Sequence, residues 1–377
     1  MHYLDYAATT PIPRAVADEM YRVLTEEFGN PSSQYPLGKR ARELVADCRR
    51  TVAESLGCPP ENLYFTSCGT ESDNWAIHAA LWQNRHMGKH IITTAVEHNA
   101  VLEPCLLLQQ QGYDVTFLQP DGNGNITLQQ IEDALRPDTA LISLMLVNNE
   151  TGNVFPVHEV AELLLRSRHR ALLHTDGVQG FLKIPLSARE LGADFISLSA
   201  HKIGGPKGVG ALYISDRVKN PRPLLPGGGQ EHGYRSGTEA TAQLAGFAKA
   251  VALRSDHLAD KLAHVAEMKD YATRQLLQIP DVQLVGDGTA PHILCVSLVG
   301  YPSSNVVEDL GAQGICLSAG SACHQGKLSH VVTALKLPKA VSAGVLRFSF
   351  APETTREDID AAVDALRAHH DNRYPLL

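Results

Sequence analysis

The chain has 377 residues, 44% of them hydrophobic, which is enough for a large α/β domain plus a smaller one and excludes a single short peptide module. A formal net charge of -8 without a basic run argues against nucleic acid as a direct partner. The seven cysteines are an odd number scattered without C-x-x-C pairs, which argues against a disulfide framework and a zinc ribbon.

The first residues, Met1-His-Tyr-Leu-Asp5, contain neither the basic nor the apolar segment of a signal peptide. Nowhere do about eighteen apolar residues run together, as a membrane-spanning helix would require. We therefore expect a cytoplasmic protein with no membrane partner.

The first strand of the chain's α/β alternation is predicted at residues 63–67, directly before Cys68-Gly-Thr70 and a helical pattern. A turn of small residues at a helix N-terminus presents free backbone amides and the positive end of the helix dipole. Gly69 and Thr70 are therefore candidates for a phosphate cradle. The alternative is an ordinary helix cap.

The next strands are predicted at residues 91–94, 114–118 and 140–147. The first of them runs into Glu97-His98, so His98 is expected at the carboxyl edge of the sheet, where ligands of α/β proteins bind. A structural hydrogen bond is the alternative role for this histidine.

Two further strands end in residues that carry chemistry. The run at 171–176 ends in Asp176, and the run at 194–199 is followed by Lys202 and a glycine-rich loop. With Ser199 and His201 beside it, the amine of Lys202 could contact a phosphate or form a Schiff base with an aldehyde cofactor.

The combination of Asp176 and Lys202 predicts the cofactor. Sequential strands of an α/β sheet usually lie close together, so the carboxyl ends of these two would open into one crevice. Pyridoxal 5'-phosphate needs a carboxylate that keeps its ring nitrogen protonated and a lysine that holds its aldehyde carbon. We expect this cofactor in the crevice.

The second part of the chain contains a long loop and a smaller domain. Residues 221–238 are rich in Pro and Gly without periodicity, and loops of this length are usually functional or disordered. A helical stretch from about 238 to 277 then leads into a smaller set of strands and helices. We predict a large domain at 15–250 and a small domain made of 1–14 and 251–377.

Cys323 is the candidate reactive thiol of the small domain. It lies in Ser318-Ala-Gly-Ser-Ala-Cys323, a run of small residues that would leave a thiol exposed, whereas Cys295 has the branched apolar neighbours of a core cysteine. The alternative is a spare surface thiol.

Several motifs together resemble the cysteine desulfurases, which are pyridoxal phosphate enzymes of aminotransferase fold type I, class V. The motifs, in the family's order, are His174-Thr-Asp-Gly-Val-Gln179, Ser199-Ala-His-Lys202, Gly227-Gly-Gly-Gln-Glu231, Arg235-Ser-Gly-Thr238 and Ser318-Ala-Gly-Ser-Ala-Cys323. The resemblance covers nearly the whole chain. It implies a large domain with a mainly parallel central sheet plus a smaller α+β domain.

The resemblance also implies which residues bind the cofactor. They are Gly69, Thr70, His98, Asn149, Asp176, Gln179, Ser199, His201, Lys202 and Thr238. By analogy, His98 stacks on the pyridine ring and shuttles protons, and Gln179 hydrogen-bonds the phenolic oxygen. Asn149 lies near that oxygen and the substrate carboxylate. Thr238 reaches the cofactor phosphate of the partner subunit, which implies a homodimer.

The implied reaction converts L-cysteine to L-alanine. Arg347 clamps the substrate carboxylate, for which its planar fork is suited, and the released amine of Lys202 is the base. The thiolate of Cys323 attacks the substrate sulfur and becomes a persulfide, with His98 or His324 as the base that helps to ionise it. A sulfur-acceptor protein, such as a scaffold for iron–sulfur clusters, then takes the sulfur.

The sequence departs from the family pattern in two places. His232 and Ala240 stand where Arg and Asn are more common, and Leu328-Ser-His330 replaces a Pro-Ser helix start. The segment that follows Cys323 is also shorter than in desulfurases with a long catalytic loop. A shorter tether reduces the reach toward acceptor proteins, which leaves room for a selenocysteine lyase or a dedicated acceptor.

Two readings from other classes stay open at this point. An aminotransferase-type relative would need Lys202 and Asp176 but no exposed cysteine. A non-catalytic metal-binding sensor could use Cys316, Cys323, His324 and His330. Because it would leave the lysine, the aspartate and the phosphate turn unexplained, we predict an enzyme without a bound metal.

Overall fold

The computed structural model describes residues 1–319 and 328–374, and its larger part alternates helices and strands. The elements of this part, in chain order, are β1 (His2–Tyr3), α1 (Arg14–Glu26), α2 (Pro36–Leu56), β2 (Leu63–Thr66), α3 (Gly69–Gln83), β3 (His90–Thr94), α4 (Asn99–Gln110), β4 (Asp114–Leu118), α5 (Leu128–Ala134), β5 (Thr139–Ser143), α6 (Val157–Arg166), β6 (Leu172–Asp176), α7 (Ala188–Leu191), β7 (Phe195–Ser199), β8 (Gly210–Ile214) and α8 (Thr241–Ser255). The strands follow the short apolar runs of the sequence, as predicted.

Seven of these strands form one sheet in the order β2-β8-β7-β6-β5-β3-β4. β8 pairs antiparallel with both of its neighbours, and the other pairings are parallel. All residues of β3, β5, β6 and β7 are buried, as expected for strands that are covered on both faces. The sheet is therefore the mainly parallel one that the motifs implied, and the predicted fold class is confirmed.

Successive strand residues point to opposite faces of the sheet and enter two different hydrophobic clusters. Ile91 and Leu141 pack with α3 and α4 on one face. Ile92 and Ile142 pack with α2, α6 and α8 on the other face. This period of two fixes the register of each strand, and with it the residue that stands at each carboxyl end.

The smaller part of the fold has its own core. Its elements are α9 (Leu258–Leu276), β9 (Val282–Leu284), β10 (Ile293–Leu298), α10 (Ser303–Ala312), β11 (Ile315–Cys316), β12 (Ser318–Ala319), α11 (His330–Ala334), α12 (Lys339–Ala343), β13 (Val345–Ser349) and α13 (Arg356–Asn372). The antiparallel sheet β12-β13-β10-β9 packs against α9, α10 and α13. β1 pairs in parallel with β11, so the first residues of the chain lie in this smaller part.

One helical segment differs from its prediction, and the domain boundaries are not tested. The helical stretch predicted at about 238–277 is two helices, α8 and α9, because His257 adopts a left-handed conformation between them with φ 48°. The boundaries at 14/15 and 250/251 stay predictions. None of the helices in the part of the chain that the structure describes has the length and apolar character needed to cross a bilayer.

Candidate active site

The site candidates converge at the carboxyl edge of the large sheet. Asp176 is the last residue of β6, and Lys202 lies in a short helical turn directly after β7. His98 and Gly69 stand where β3 and β2 lead into α4 and α3. Because these strands run in the same direction, their ends open on the same side of the sheet.

The ammonium group of Lys202 is held by the N-terminal segment. Its Nζ donates to the carbonyl oxygens of Ala7 at 2.7 Å and Ala8 at 2.8 Å. Burial, together with the positive charge of Arg347, lowers the pKa of Lys202 to about 8, while Asp176 acts in the opposite direction. A substantial fraction of this amine is therefore neutral near physiological pH, as a nucleophile or base requires.

Asp176 is buried and anchored. Its Oδ1 accepts a hydrogen bond from the backbone N–H of Val178 at 2.9 Å. Burial and the nearby carboxylate of Asp73 raise the pKa of Asp176 to about 6, and the charge of His98 opposes this shift. A carboxylate in this position gains free energy from a cation placed against it.

Behind Asp176 lies a layer of buried polar side chains that the sequence analysis did not identify. His174 Nδ1 lies 2.8 Å from Ser143 Oγ, and its Nε2 lies 3.1 Å from Ser197 Oγ and 3.3 Å from Asp73 Oδ1. Burial lowers the pKa of His174 to about 4, so this ring is neutral. The sequence does contain a signal for this layer, because Ser143, His174 and Ser197 are polar residues within otherwise apolar strands.

His98 caps α4 with its side chain. Its Nδ1 accepts a hydrogen bond from the backbone N–H of Ala100 at 3.1 Å, so in the neutral ring the proton is on Nε2. The side chain is exposed, and its charge acts on Asp176. The capping bond therefore fixes the tautomer of a histidine that faces the crevice.

The turn before α3 has the shape of an anion cradle. A Cβ at Gly69 would lie 2.9 Å from Val178 Cγ2 and 3.6 Å from Ser199 Cβ, so a side chain at this position would require a neighbour to shift. Thr70 is exposed in the first turn, where helix amides lack intrahelical partners. The structure thus brings Gly69 and Ser199 together at the N-terminus of α3, a helix of fifteen residues.

His201 and Gln179 both contact the N-terminal segment. His201 Nδ1 lies 3.2 Å from Thr9 Oγ1, and burial together with Lys202 lowers the pKa of His201 to about 4. Gln179 donates from Nε2 to the carbonyl oxygen of Ala7 at 2.8 Å and accepts at Oε1 from Lys183 Nζ at 2.8 Å. Lys183 therefore orients the amide of Gln179.

Arg347 joins the small domain to the large one. It donates from Nη1 to the carbonyl oxygen of Asn149 at 2.7 Å, and from Nη2 to Asp5 Oδ1 at 2.8 Å and Ser318 Oγ at 2.9 Å. Its Nε is buried without a hydrogen-bond partner among residues 1–319 and 328–374. The structure thus places Asn149 and Arg347 in direct contact, and it adds Asp5, which sequence reasoning missed.

Thr238 is exposed and lies apart, on the Pro/Gly-rich loop. Two ion pairs fasten this loop to the same chain: Arg49 Nη2 lies 2.7 Å from Glu231 Oε1, and Arg235 Nε lies 2.8 Å from Glu71 Oε1. The loop is therefore held in place beside the start of α3, and Thr238 stays exposed on it.

Cys323 and His324 lie outside the described residues, but the residues on either side of that gap are fixed near the site. Ser318 contacts Arg347, and Ser329 Oγ donates to Glu150 Oε2 at 2.6 Å. His330 Nε2 lies 2.8 Å from the carbonyl oxygen of Glu97. No group of three or more potential metal ligands occurs within residues 1–319 and 328–374.

Comparisons with known proteins place these residues in a wider context. The sequence model of the family described as Aminotransferase class-V matches residues 2–362. A curated relative, "Cysteine desulfurase IscS" from Methanosarcina thermophila, is 39% identical over 368 residues, which are 97% of this chain and 90% of the relative.

Two solved structures are similar over nearly the whole chain. A "NIFS-LIKE PROTEIN" has a TM-score of 0.92 at 33% identity, covering 98% of this chain and 99% of the other. The structure titled "SspA in complex with cysteine" has a TM-score of 0.82 at 32% identity, covering 94% of this chain and 100% of the other. The residues described above therefore belong to an architecture that recurs in known proteins.

Proposed function

Because this chain belongs to the cysteine desulfurases of the class-V aminotransferase family, we propose that it uses pyridoxal 5'-phosphate to convert L-cysteine to L-alanine, with the sulfur taken up as a persulfide on Cys323. The resemblance drawn from the motifs is confirmed. One observation carries the proposal. The amine of Lys202, with its pKa lowered to about 8, lies within electrostatic reach of both the buried Asp176 and Arg347.

The residues present fit the cofactor. The turn at Gly69 suits a phosphate, since the lack of a side chain lets the turn pack closely against Val178 and Ser199 and the free amides of the first turn of α3 are donors. The buried carboxylate of Asp176 has no cationic hydrogen-bond partner within the described parts of the chain, so a protonated ring nitrogen would satisfy it. When bound, pyridoxal phosphate supplies the electron sink that stabilises a carbanion at the substrate Cα.

The protein's own groups then have separate tasks. Arg347 offers a nearly buried guanidinium to the substrate carboxylate, and Asn149, whose carbonyl already orients that guanidinium, lies beside it. Lys202 exchanges a proton with the substrate Cα, for which a pKa near neutrality is favourable. His98, with the proton held on Nε2 when neutral, can donate or relay a proton on the open side of the crevice.

Sulfur capture is assigned to Cys323. The support is its motif and the position of its flanking residues: Ser318 contacts the carboxylate-binding Arg347, and Ser329 is anchored on Glu150. A thiolate there attacks the substrate sulfur, the bond between that sulfur and Cβ breaks, and its electron pair returns to the substrate carbon skeleton, which is released as alanine after protonation. The persulfide sulfur then passes to an acceptor protein.

L-cysteine is the favoured substrate over L-selenocysteine. The relative titled "SspA in complex with cysteine", 32% identical, was solved with cysteine, and the curated relatives carry the name cysteine desulfurase. The selenium-specific alternative and the metal sensor have no comparable support.

We also propose that the active unit is a homodimer. Tyr21 and Leu24 on α1, and Phe28 just after it, are 69%, 61% and 68% exposed, and exposed apolar groups close together in the chain commonly mark an interface. Thr238 is exposed on a loop that is fastened to its own chain by Arg235, so its hydroxyl is available to a second copy.

Replacement of Lys202 tests the proposed function. The Lys202→Ala variant should lose alanine formation and the visible absorption band of the parent protein, and borohydride, which abolishes that band in the parent by fixing the cofactor onto Lys202, should attach no cofactor in the variant. Lys207→Ala is the matched control, because Lys207 is an exposed lysine of the same loop and should leave both readouts intact. Normal turnover in Lys202→Ala, or a purified protein that acquires no band with pyridoxal phosphate, would overturn the proposal.

A further inference from the structure

A small cavity lies behind Lys202, and Asp176 is not among the residues that line it. Its volume is about 30 Å³, more than one water or one monatomic ion needs. Five basic residues line it, namely Lys183, Lys202, Arg254, Lys261 and His292. Apolar side chains such as Leu182 and Phe350 form much of the remaining wall.

His292 carries the strongest sign that something binds in this cavity. Its side chain is only 3% exposed, and although the backbone of Gln179 offers the ring a weak hydrogen bond, neither Nδ1 nor Nε2 has a partner with full hydrogen-bond geometry within residues 1–319 and 328–374. A buried polar group without a partner costs free energy, and nearly all such groups in native proteins are satisfied by protein, water or a bound ion. Since Gln179 can serve one ring nitrogen only, the other lacks a partner that a ligand in the cavity could supply.

The charges around the cavity select the kind of ligand. The charged neighbours that act on Lys183 are Lys202, Arg254 and Arg347, all of them cations. His292 is likewise surrounded by Lys183, Lys269 and Arg347. This positive potential, together with burial, lowers the pKa of Lys183 well below its usual value. An anion relieves the repulsion, whereas a water only solvates it.

The nearby carboxylates do not supply the negative charge that would offset these cations. Asp5 and Asp176 act on Lys202, and Asp5 is engaged by Arg347. Glu353 lies 3.5 Å from Arg254, but it is 54% exposed at the rim, where solvent screens its charge. The inner part of the cavity, between Lys183 and His292, is thus left without a negative group among the charges that act there.

We propose that this cavity is a halide site, occupied by chloride, with Lys183, Arg254 and His292 as its donors. A spherical monovalent ion tolerates the apolar contacts with Leu182 and Phe350, whereas a phosphate or sulfate would bury oxygens against these side chains without donors. The site is separate from the phosphate turn at Gly69 and from the carboxylate-binding face of Arg347. The ion offsets the mutual repulsion of the cations gathered behind Lys202.

The test uses the cofactor-loaded protein, in which the phosphate turn is already filled. Crystals transferred into sodium bromide should show one anomalous peak within the cavity, next to Lys183 and His292. In solution, titration of chloride into a gluconate buffer should broaden the ³⁵Cl resonance in a saturable way. Bromide found only at the surface or against Arg347, an adventitious ion only, would overturn the proposal.

Two variants make the solution experiment specific. Arg254→Met and His292→Asn should each weaken halide binding at least about tenfold, the loss expected for one charge-assisted hydrogen bond. Lys249→Met is the matched control, because Lys249 is an exposed cation on the same helix as Arg254 and should leave binding unchanged. The absorption band of the bound cofactor checks that each variant is folded. Unchanged halide affinity in both cavity variants would refute the assignment, whatever their turnover.

Discussion

Arg347 Nη2 lies 2.8 Å from Asp5 Oδ1, an ion pair between residues 342 positions apart in the chain. The pair joins the last strand of the small domain to the segment that follows β1, and Ser318 Oγ shares the same guanidinium nitrogen. In the resting protein, Asp5 thus occupies part of the position that we assign to the substrate carboxylate. In our proposal, cysteine competes with Asp5 for one guanidinium nitrogen, while the carbonyl of Asn149 keeps the other in place.

The first prediction concerns the geometry of Arg347. Arg347→Lys keeps the charge but loses the planar fork, so it cannot bind the Asn149 carbonyl with one nitrogen while a second nitrogen accommodates a carboxylate in place of Asp5. We expect the KM for cysteine to rise at least about tenfold, as for the loss of one charge-assisted hydrogen bond, with a smaller change in kcat. Steady-state kinetics measure both.

The matched control is Arg356→Lys, which changes an exposed arginine paired with Glu267 and should leave KM as it is. A KM in Arg347→Lys within twofold of the parent value would show that the substrate carboxylate binds elsewhere.

The second prediction uses the pKa of Lys202. In the cofactor-free protein only the neutral amine can attack the aldehyde, so the rate of cofactor capture should rise with pH around a midpoint near 8. An ordinary lysine would give a midpoint of about 10.4. Stopped-flow absorbance at a series of pH values measures the midpoint.

A variant of Arg347 tests whether its positive charge lowers the pKa of Lys202. Because the charge of Arg347 lowers the pKa of Lys202, Arg347→Met should move the midpoint to higher pH. The removal of an exposed charge, as in Lys207→Met, should leave it in place. A parent midpoint above 10, or no movement in Arg347→Met, would contradict the environment described for Lys202.

The strand ends of the site could be predicted from sequence because they depend on short-range patterns. The runs that end at Asp176 and Ser199 are short, start with apolar residues and are followed by Gly177 and by the glycine-rich loop after Lys202, so both their existence and the residues at their ends follow from local rules. Parallel neighbours then bring the ends together without further information. The break at His257 was not predictable in this way, since a positive φ is uncommon for every residue other than glycine, even for histidine, which adopts it more often than most.

The contacts that hold the site together could not be predicted. Asp5 with Arg347, and Ala7 with Gln179 and Lys202, join segments that are far apart in the chain and have no shared periodicity. The only way to foresee these contacts would have been to know how the N-terminal segment crosses the crevice. The roles of Thr238 and Cys323 stay predictions for a different reason, since one depends on a second copy of the chain and the other lies outside the described residues.

The third prediction tests the crossed position of Thr238 with two mixed dimers. In one, a Lys202→Ala subunit pairs with a Thr238→Val subunit; in the other, a subunit with both substitutions pairs with the parent chain. Each dimer has a single intact Lys202. If Thr238 contacts the cofactor phosphate of the neighbouring subunit, the site with the intact Lys202 keeps the Thr238 hydroxyl in the first dimer and loses it in the second.

We therefore expect the second dimer to release the cofactor at least about tenfold more readily, as for the loss of one hydrogen bond to a charged group. Equilibrium dialysis followed by absorbance measures retention. Weaker retention in the first dimer would place Thr238 in its own subunit's site, and a fully active monomer in sedimentation would dismiss the dimer itself.

The fourth prediction concerns Cys323 and separates sulfur transfer from the steps before it. Cys323→Ser should still bind pyridoxal phosphate and take up cysteine with a spectral change, because those steps use Lys202, Asp176 and Arg347. Alanine formation from cysteine should fall to background. Cys316→Ser is the control, since Cys316 lies in β11 and should not affect turnover.

The same variant discriminates between sulfur and selenium chemistry, because selenium leaves carbon more readily than sulfur and depends less on a nucleophilic thiolate. A desulfurase should lose its activity toward cysteine in Cys323→Ser, whereas a selenocysteine lyase would keep appreciable activity toward selenocysteine. After one turnover of the parent protein with cysteine, mass spectrometry should find one extra sulfur on the peptide that contains Cys323. An extra sulfur found only on another cysteine would transfer the nucleophile's role to that residue, and then the anchoring of Ser318 and Ser329 beside Arg347 and Glu150 would need a different explanation.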